Sequence, residues 1–155
     1  LIISILEEFK YSQGTGIDIS KNVISIANKN KKNINNDLNL SFIVHDFFTY
    51  DTKGFDIIIC NPPYVPKNKL NEITEEVFNF EPHLALFPKK DTKDCYEKII
   101  SNIKLTNNKN CYVFFEIDYR DHVLVSNILK DNDFSVLAAE NDLTNRPRCI
   151  VAKMN

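Results

Sequence analysis

Glycine is scarce in this 155-residue chain, at three residues, and tryptophan is absent. Gly14 and Gly16 are parted by one residue and sit at the entry to a strand, so no glycine-rich phosphate cradle can be drawn from them. The four cysteines, Cys60, Cys95, Cys111 and Cys149, include no C-x-x-C pair, and the three histidines do not cluster with them. No metal site is therefore expected. Free thiols in apolar runs are expected instead, as in a reducing compartment. No apolar run approaches the roughly 20 residues needed to span a bilayer. A clustered basic surface is missing too: the densest stretch, Lys29 to Lys32, reads as a solvated helix face, and the formal net charge is −2. Direct nucleic-acid binding is disfavoured on that ground.

What is present suits an ordinary globular core. Hydrophobic residues make up 43% of the chain, with 11 Phe and 6 Tyr to fill it. The length fits one domain, here residues 1–155.

The apolar pattern alternates between helix and strand periods. Leu1 to Phe9 reads as helix and Thr15 to Ile19 as a short strand. Ser20 is a good N-cap for a helix from Lys21 to about Asn35, with Val23, Ile24, Ala27 and Ile34 as its apolar stripe. Ser41 to His45 reads as a strand ending at Asp46. Phe55 to Cys60 is a continuous β-branched run, as in a strand covered on both faces, and two prolines stop it. An irregular stretch with a short helix near 71–78 follows. Then come a helix from Thr92 to about Ile103, a strand from Cys111 to Ile117, and a helix from Arg120 to Leu129. Strands from Phe134 to Ala139 and from Cys149 to Lys153 end the chain. Asn107, Asn108 and Asn110 lie in a turn where asparagine can supply positive φ. The order α-β-α-β-β-α-β-α-β-β describes a mostly parallel α/β sheet with helices on both faces. Such sheets bind ligands at the carboxyl ends of their strands. The residues of interest are therefore Asp18, Asp46, Asn61 onward, and Glu116 to Tyr119.

Asn61-Pro62-Pro63-Tyr64 carries the sharpest chemistry. A planar amide or amine nitrogen is a poor nucleophile while its lone pair is delocalised. Two acceptors gripping its N–H bonds disturb that delocalisation. The Asn61 side-chain carbonyl and the Pro62 backbone carbonyl can be those acceptors, held stiff by the prolines. Tyr64 offers a flat face for stacking. Asp18, ending one strand before a capped helix, can accept from ribose hydroxyls or simply mark a helix entry. Asp46, followed by Phe47 and Phe48, can accept from an adenine amino group or simply close a turn. Glu116 and Tyr119 fit either a site or a satisfied polar core, and Glu81-Pro82 and Arg146-Pro147-Arg148 either a site or ordinary loop charge.

These stretches resemble, in order, the HemK/PrmC-like protein glutamine N5-methyltransferases. Ile17 to Ser20 looks like that family's acidic motif after strand two, and His45 to Phe48 like its adenine-side motif. Phe55 to Pro66 is similar to its catalytic segment, and Phe80 to Phe87 (Phe-Glu-Pro-His-Leu-Ala-Leu-Phe) to its Glu-Pro-x-x-Ala-Leu segment. Phe115 to Ile117 and Asn145 to Arg148 resemble its later blocks. The resemblance implies a Rossmann-like class I S-adenosylmethionine methyltransferase sheet. It also implies methylation of the glutamine in the Gly-Gly-Gln loop of peptide-chain release factors, in translation termination. Asn61, Pro62, Pro63 and Tyr64 would be catalytic, with Asn61, Pro62, Tyr64 and Glu81 on the substrate. Asp18, Ile19, Asp46, Phe47 and Asn61 would hold S-adenosyl-L-methionine.

Two departures qualify the resemblance. The family's first strand with its glycine-rich loop, and its N-terminal helical domain, are not in this sequence. The chain opens at Leu1 and is read as the C-terminal portion of a catalytic domain. The missing strand would lie between the Thr15 and Phe55 strands, leaving two open edges. Weak cofactor binding by these 155 residues alone is expected. The tetrapeptide is also shared with adenine N6-methyltransferases of DNA or RNA, and a degenerate, non-catalytic partner domain is a third reading. A cytoplasmic location is expected, or an organellar one if a targeting segment precedes Leu1.

Overall fold

The computed structural model describes residues 1–63, 91–107 and 110–155. Its elements follow the expected order. They are α1 (Ile2–Glu8), β1 (Gly14–Asp18), α2 (Lys21–Ile34), β2 (Leu40–Val44), β3 (Ile57–Cys60), α3 (Thr92–Thr106), β4 (Tyr112–Glu116), α4 (His122–Asp131), β5 (Phe134–Asn141) and β6 (Pro147–Met154). The short helix expected near 71–78 lies outside the described residues. The chain divides into two compact units, Leu1–Tyr50 and Asp51–Asn155.

In the first unit β1 and β2 pair in parallel, with Gly16 opposite Phe42 and Asp18 opposite Val44. Glycine at position 16 has a local reason. A Cβ there would lie 2.5 Å from the Phe42 ring. The core is small: Leu6, Leu38 and Leu40, flanked by Ile2, Ile3 and Phe42. Ser20 caps α2 as expected, its hydroxyl accepting from the Val23 amide at 3.4 Å. The expected apolar stripe of α2 is corrected. Ile24 is buried, but Val23 is 40% and Ile34 58% exposed. The 14 residues of α2 mix Val and Ile with many Lys and Asn, which blurs the 3.6-residue period, so pattern alone placed the stripe too widely.

The second unit holds a four-stranded sheet in the order β3-β4-β6-β5. β3 and β4 are parallel, and β6 is antiparallel to both β4 and β5. The expectation of a mostly parallel sheet thus holds for β1–β2 and β3–β4. It gives way at the far side, where a tight turn joins β5 to β6 and permits antiparallel pairing. That turn is built on Asp142, whose Oδ1 accepts from the Thr144 amide, the Thr144 hydroxyl and the Arg146 amide, with Asn145 at φ 61°.

One face of this sheet is buried. Ile58, Val113, Phe115, Ile150 and Ala152 point into a core shared with Tyr96, Ile99, Ile100 and Ile103 of α3 and Val125, Ile128 and Leu129 of α4. Those α3 positions recur at helical spacing. On the other face Ile57 is 56% and Ile59 44% exposed. The expectation that β3 is covered on both faces is therefore corrected. Its continuous β-branched run reflects strand propensity at alternate positions, not two-sided burial. Among the described residues β1 pairs with β2 and β3 with β4, and neither has a second strand partner.

Asp91 caps α3, accepting from the Asp94 amide at 2.6 Å. At the other end of α3, buried Thr52 is fastened to Thr106. The Thr52 amide donates to Thr106 Oγ1 at 3.0 Å, and the two hydroxyls lie 2.7 Å apart. Asn107 Nδ2 donates to the Phe55 carbonyl at 3.2 Å. Asn110 has φ 78°, as expected for the asparagine turn. The four cysteines are free.

Candidate active site

The first unit places two acids past the carboxyl ends of a parallel strand pair. Asp18 ends β1, and its Oδ1 accepts from the Ser20 amide at 2.7 Å. Its own carbonyl accepts from the His45 amide at 3.0 Å, tying the two strand ends together. Asp46 caps a 3-10 turn at Phe47–Thr49, with Oδ1 accepting from the Phe48 amide at 3.0 Å. Both acids are half-buried, as are Phe47 and Phe48, while Ile19 is 52% exposed. His45 stacks edge-on against Tyr50 with centroids 5.3 Å apart. Each carboxylate thus has one oxygen fixed by its own turn, which aims the group without neutralising it.

The second unit places Asn61-Pro62-Pro63 directly after β3. Cys60 pairs with Phe115 at the last rung of that ladder, and Asn61 and Glu116 each follow it by one residue, at the carboxyl edge of the β3–β4 pair. Asn61 is exposed, Pro62 buried and Pro63 half-buried. A buried proline anchors the turn and leaves the amide side chain ahead of it in solvent. Behind Asn61, burial pushes the Cys60 thiol up to about 12, with Cys95 a lesser cause. That thiol is neutral and is no competing nucleophile. Tyr64 and Glu81 lie outside the described residues.

The ambiguous residues of the sequence meet here. β6 runs antiparallel to β4, so its start lies beside the end of β4. Arg148 Nη2 reaches Glu116 Oε1 at 3.1 Å, and Arg148 Nη1 donates to the Ile117 carbonyl at 3.2 Å. Arg146 lies over the Tyr119 ring at 4.9 Å. Two supports escaped sequence reading. Buried Tyr96 donates its hydroxyl to the Glu116 carbonyl at 2.8 Å and meets Phe115 edge-on. Asp118 forks onto Arg120, through Nε at 2.8 Å and Nη2 at 2.6 Å. The Asp-x-Arg spacing signals that fork; nothing in the sequence signals Tyr96, which reads as a plain core position. Among the described residues no group of three or more His, Cys, Asp and Glu is placed to hold a metal ion.

An α/β chain whose parallel strands end in acids, and in an Asn-Pro-Pro turn, has the architecture of class I methyltransferases. The methyltransferase domain family matches residues 1–132, and the chain belongs to that family. It is 36% identical to a release factor glutamine methyltransferase of Fusobacterium nucleatum over 97% of this chain and 43% of that protein. It is 34% identical to a bifunctional methyltransferase of Rickettsia bellii over 96% of this chain and 27% of that one. The chain thus spans less than half the length of either relative. Among solved structures, an O-methyltransferase from neocarzinostatin biosynthesis, in complex with S-adenosyl-L-homocysteine, superposes with TM-score 0.67. It shares 10% identity, over 99% of this chain and 45% of that one, which shows the fold.

Proposed function

We propose that this chain is part of an S-adenosylmethionine-dependent methyltransferase that modifies the glutamine side-chain amide in the Gly-Gly-Gln loop of a peptide-chain release factor. The observation that carries the reading is the exposed Asn61, set on buried Pro62 at the carboxyl end of β3. The name of the Fusobacterium relative supports the substrate. The adenine-directed and non-catalytic alternatives draw no comparable support.

Asp18 and Asp46 fit the cofactor's nucleoside. Each keeps lone pairs for hydroxyl or amino donors after its turn contact, and each stands half-buried past a parallel strand. Asp18 takes the ribose with Ile19 alongside, and Asp46 takes the adenine end with Phe47. When bound, S-adenosylmethionine supplies an electrophilic methyl group. The chain's own residues act on the other reactant. The Asn61 carbonyl and the Pro62 carbonyl accept the two N–H bonds of the amide and hold its nitrogen still. The rate then comes from positioning and fixed dipoles. In this reading Tyr64 is assigned to stacking on the amide plane, Pro63 to stiffening the turn, and Glu81 to binding the substrate. The whole of residues 1–155 belongs to one catalytic domain in this reading.

Among the described residues no helix is long and apolar enough to cross a membrane. The proposal includes a cytoplasmic location. The relatives compared are bacterial, which gives the organellar alternative no support.

The test is methyl transfer by the full-length protein to a release factor and to its loop Gln-to-Ala form. Labelling of the first alone is expected. Equal labelling of both refutes the glutamine assignment.

A further inference from the structure

Three arginines gather at the edge where β4 ends and β6 begins, and they are not equivalent. Arg120 is forked onto Asp118, and Arg148 is paired with Glu116. Arg146 forms no ion pair among the described residues; the Asp142 carboxyl is lowered chiefly by the Thr144 hydroxyl, with the Arg146 charge a lesser cause. The Arg146 backbone amide is spent on Asp142, and its guanidinium lies over the Tyr119 ring at 4.9 Å. Arg120 stands over the same ring at 5.5 Å. Tyr119 is 44% exposed, and Arg146 is exposed as well. A guanidinium stacked on an aromatic face is held in orientation, yet its N–H donors lie in its own plane and stay available. The ring therefore presents a cation whose fork is aimed and unspent.

The position is as informative as the charge. Tyr119 lies three residues past the end of β4, and Asn61 one residue past the end of β3. The two strands are parallel neighbours, so both residues belong to the same edge of the same sheet. An extended polypeptide that presents an amide at Asn61 can therefore run along that edge toward Tyr119.

We propose that the Tyr119–Arg146 stack is a specificity-determining contact for the polypeptide substrate. In it Arg146 takes, through its fork, the carboxylate of an acidic side chain near the target glutamine. Charge complementarity decides the occupant. Glu116 and Asp118 are engaged by Arg148 and Arg120, and Asp142 is held chiefly by its own turn with Arg146 adding a lesser charge interaction, so among the described residues the Arg146 fork is open to an incoming carboxylate. The inference rests on the protein-glutamine reading of the site.

Steady-state methylation by the full-length enzyme tests it, with an intact release factor and with a short amidated glutamine peptide that lacks acidic residues. Arg146→Gln should raise KM for the release factor about tenfold, the effect of one charged hydrogen bond, and leave kcat within a factor of two. It should leave KM for the neutral peptide unchanged. Arg146→Lys, which keeps the charge but not the fork, should fall between. Tyr119→Phe should match wild type, and Tyr119→Ala should resemble Arg146→Gln. Salt should raise the wild-type KM for the release factor more than that of Arg146→Gln. Equal KM for wild type and Arg146→Gln on the release factor overturns the inference, as does an equal KM change on the neutral peptide. A wild-type enzyme that methylates neither substrate overturns the function proposed above instead.

Discussion

The two compact units spend their sequence differently. The second builds a layered interior, with Tyr96, Ile100 and Ile103 of α3 and Val125 and Leu129 of α4 packed under Val113, Phe115, Ile150 and Ala152. The first has a parallel strand pair, two helices and a few buried side chains, Leu6, Ile24, Leu38 and Leu40. A two-stranded sheet with so little burial is marginal by itself. Yet the first unit carries Asp18 and Asp46, the acids assigned to the cofactor, and the second carries Asn61. Under the proposed roles, cofactor affinity and amide chemistry would rest on platforms of unequal firmness.

The comparison can be broken most severely by titrating S-adenosylmethionine into the 155-residue chain in a calorimeter. With β1 paired on one edge alone among the described residues, essentially no binding in the micromolar range is expected, and a micromolar Kd would show the first unit to be firm as it stands. Next in size come core truncations. Phe115→Ala should cost the second unit about 3–5 kcal/mol, and Leu40→Ala the first about 2–5 kcal/mol, followed by urea unfolding. Leu40→Ala should unfold the first unit ahead of the second, and a single shared transition would erase the distinction between them. Asn61→Ala in the full-length enzyme should raise the barrier by roughly 3 kcal/mol, by analogy with the loss of one preorganised donor, and lower kcat about a hundredfold. Cofactor affinity should hardly change, and an unaltered kcat would remove Asn61 from the chemistry.

The smallest effect is alkaline. Burial raises the Cys60 thiol from 9.0 to about 12, and those of Cys95 and Cys111 to about 11. A folded pKa above the unfolded one means that the folded state holds more protons between the two values. Stability from these thiols is complete below pH 9 and is lost as pH rises toward 11 to 12. All three lie in the second unit. Urea midpoints at pH 8 and pH 10.5 should therefore differ less in Cys60→Ala than in wild type, and an equal fall in both would exclude Cys60 as a cause.

Much of this was legible in the sequence, for identifiable reasons. Element order followed from switches of hydrophobic period and from caps such as Ser20 that act within a few residues. Asn61 to Pro63 was legible because two prolines after a β-branched run leave few options for the backbone. The face that β3 exposes was not legible, since Ile57 and Ile59 are as apolar as Ile58, and tertiary placement alone separates them. The cluster of Glu116, Tyr119, Arg146 and Arg148 was present only as ambiguous residues. An antiparallel return, set by the Asp142 turn, brings together side chains about thirty positions apart, and no local pattern encodes that meeting.

The Thr52–Thr106 contact has a practical meaning for dividing this chain. Regular structure in the second unit starts at Ile57, but its first fixed point is Thr52, whose amide and hydroxyl are both fastened to the last residue of α3. A cut placed at the strand would strip Thr106 of that partner and Asn107 of the Phe55 carbonyl. The working boundary for expressing, labelling or recombining the second half is therefore the peptide bond before Asp51, several residues earlier than the ladder alone would suggest.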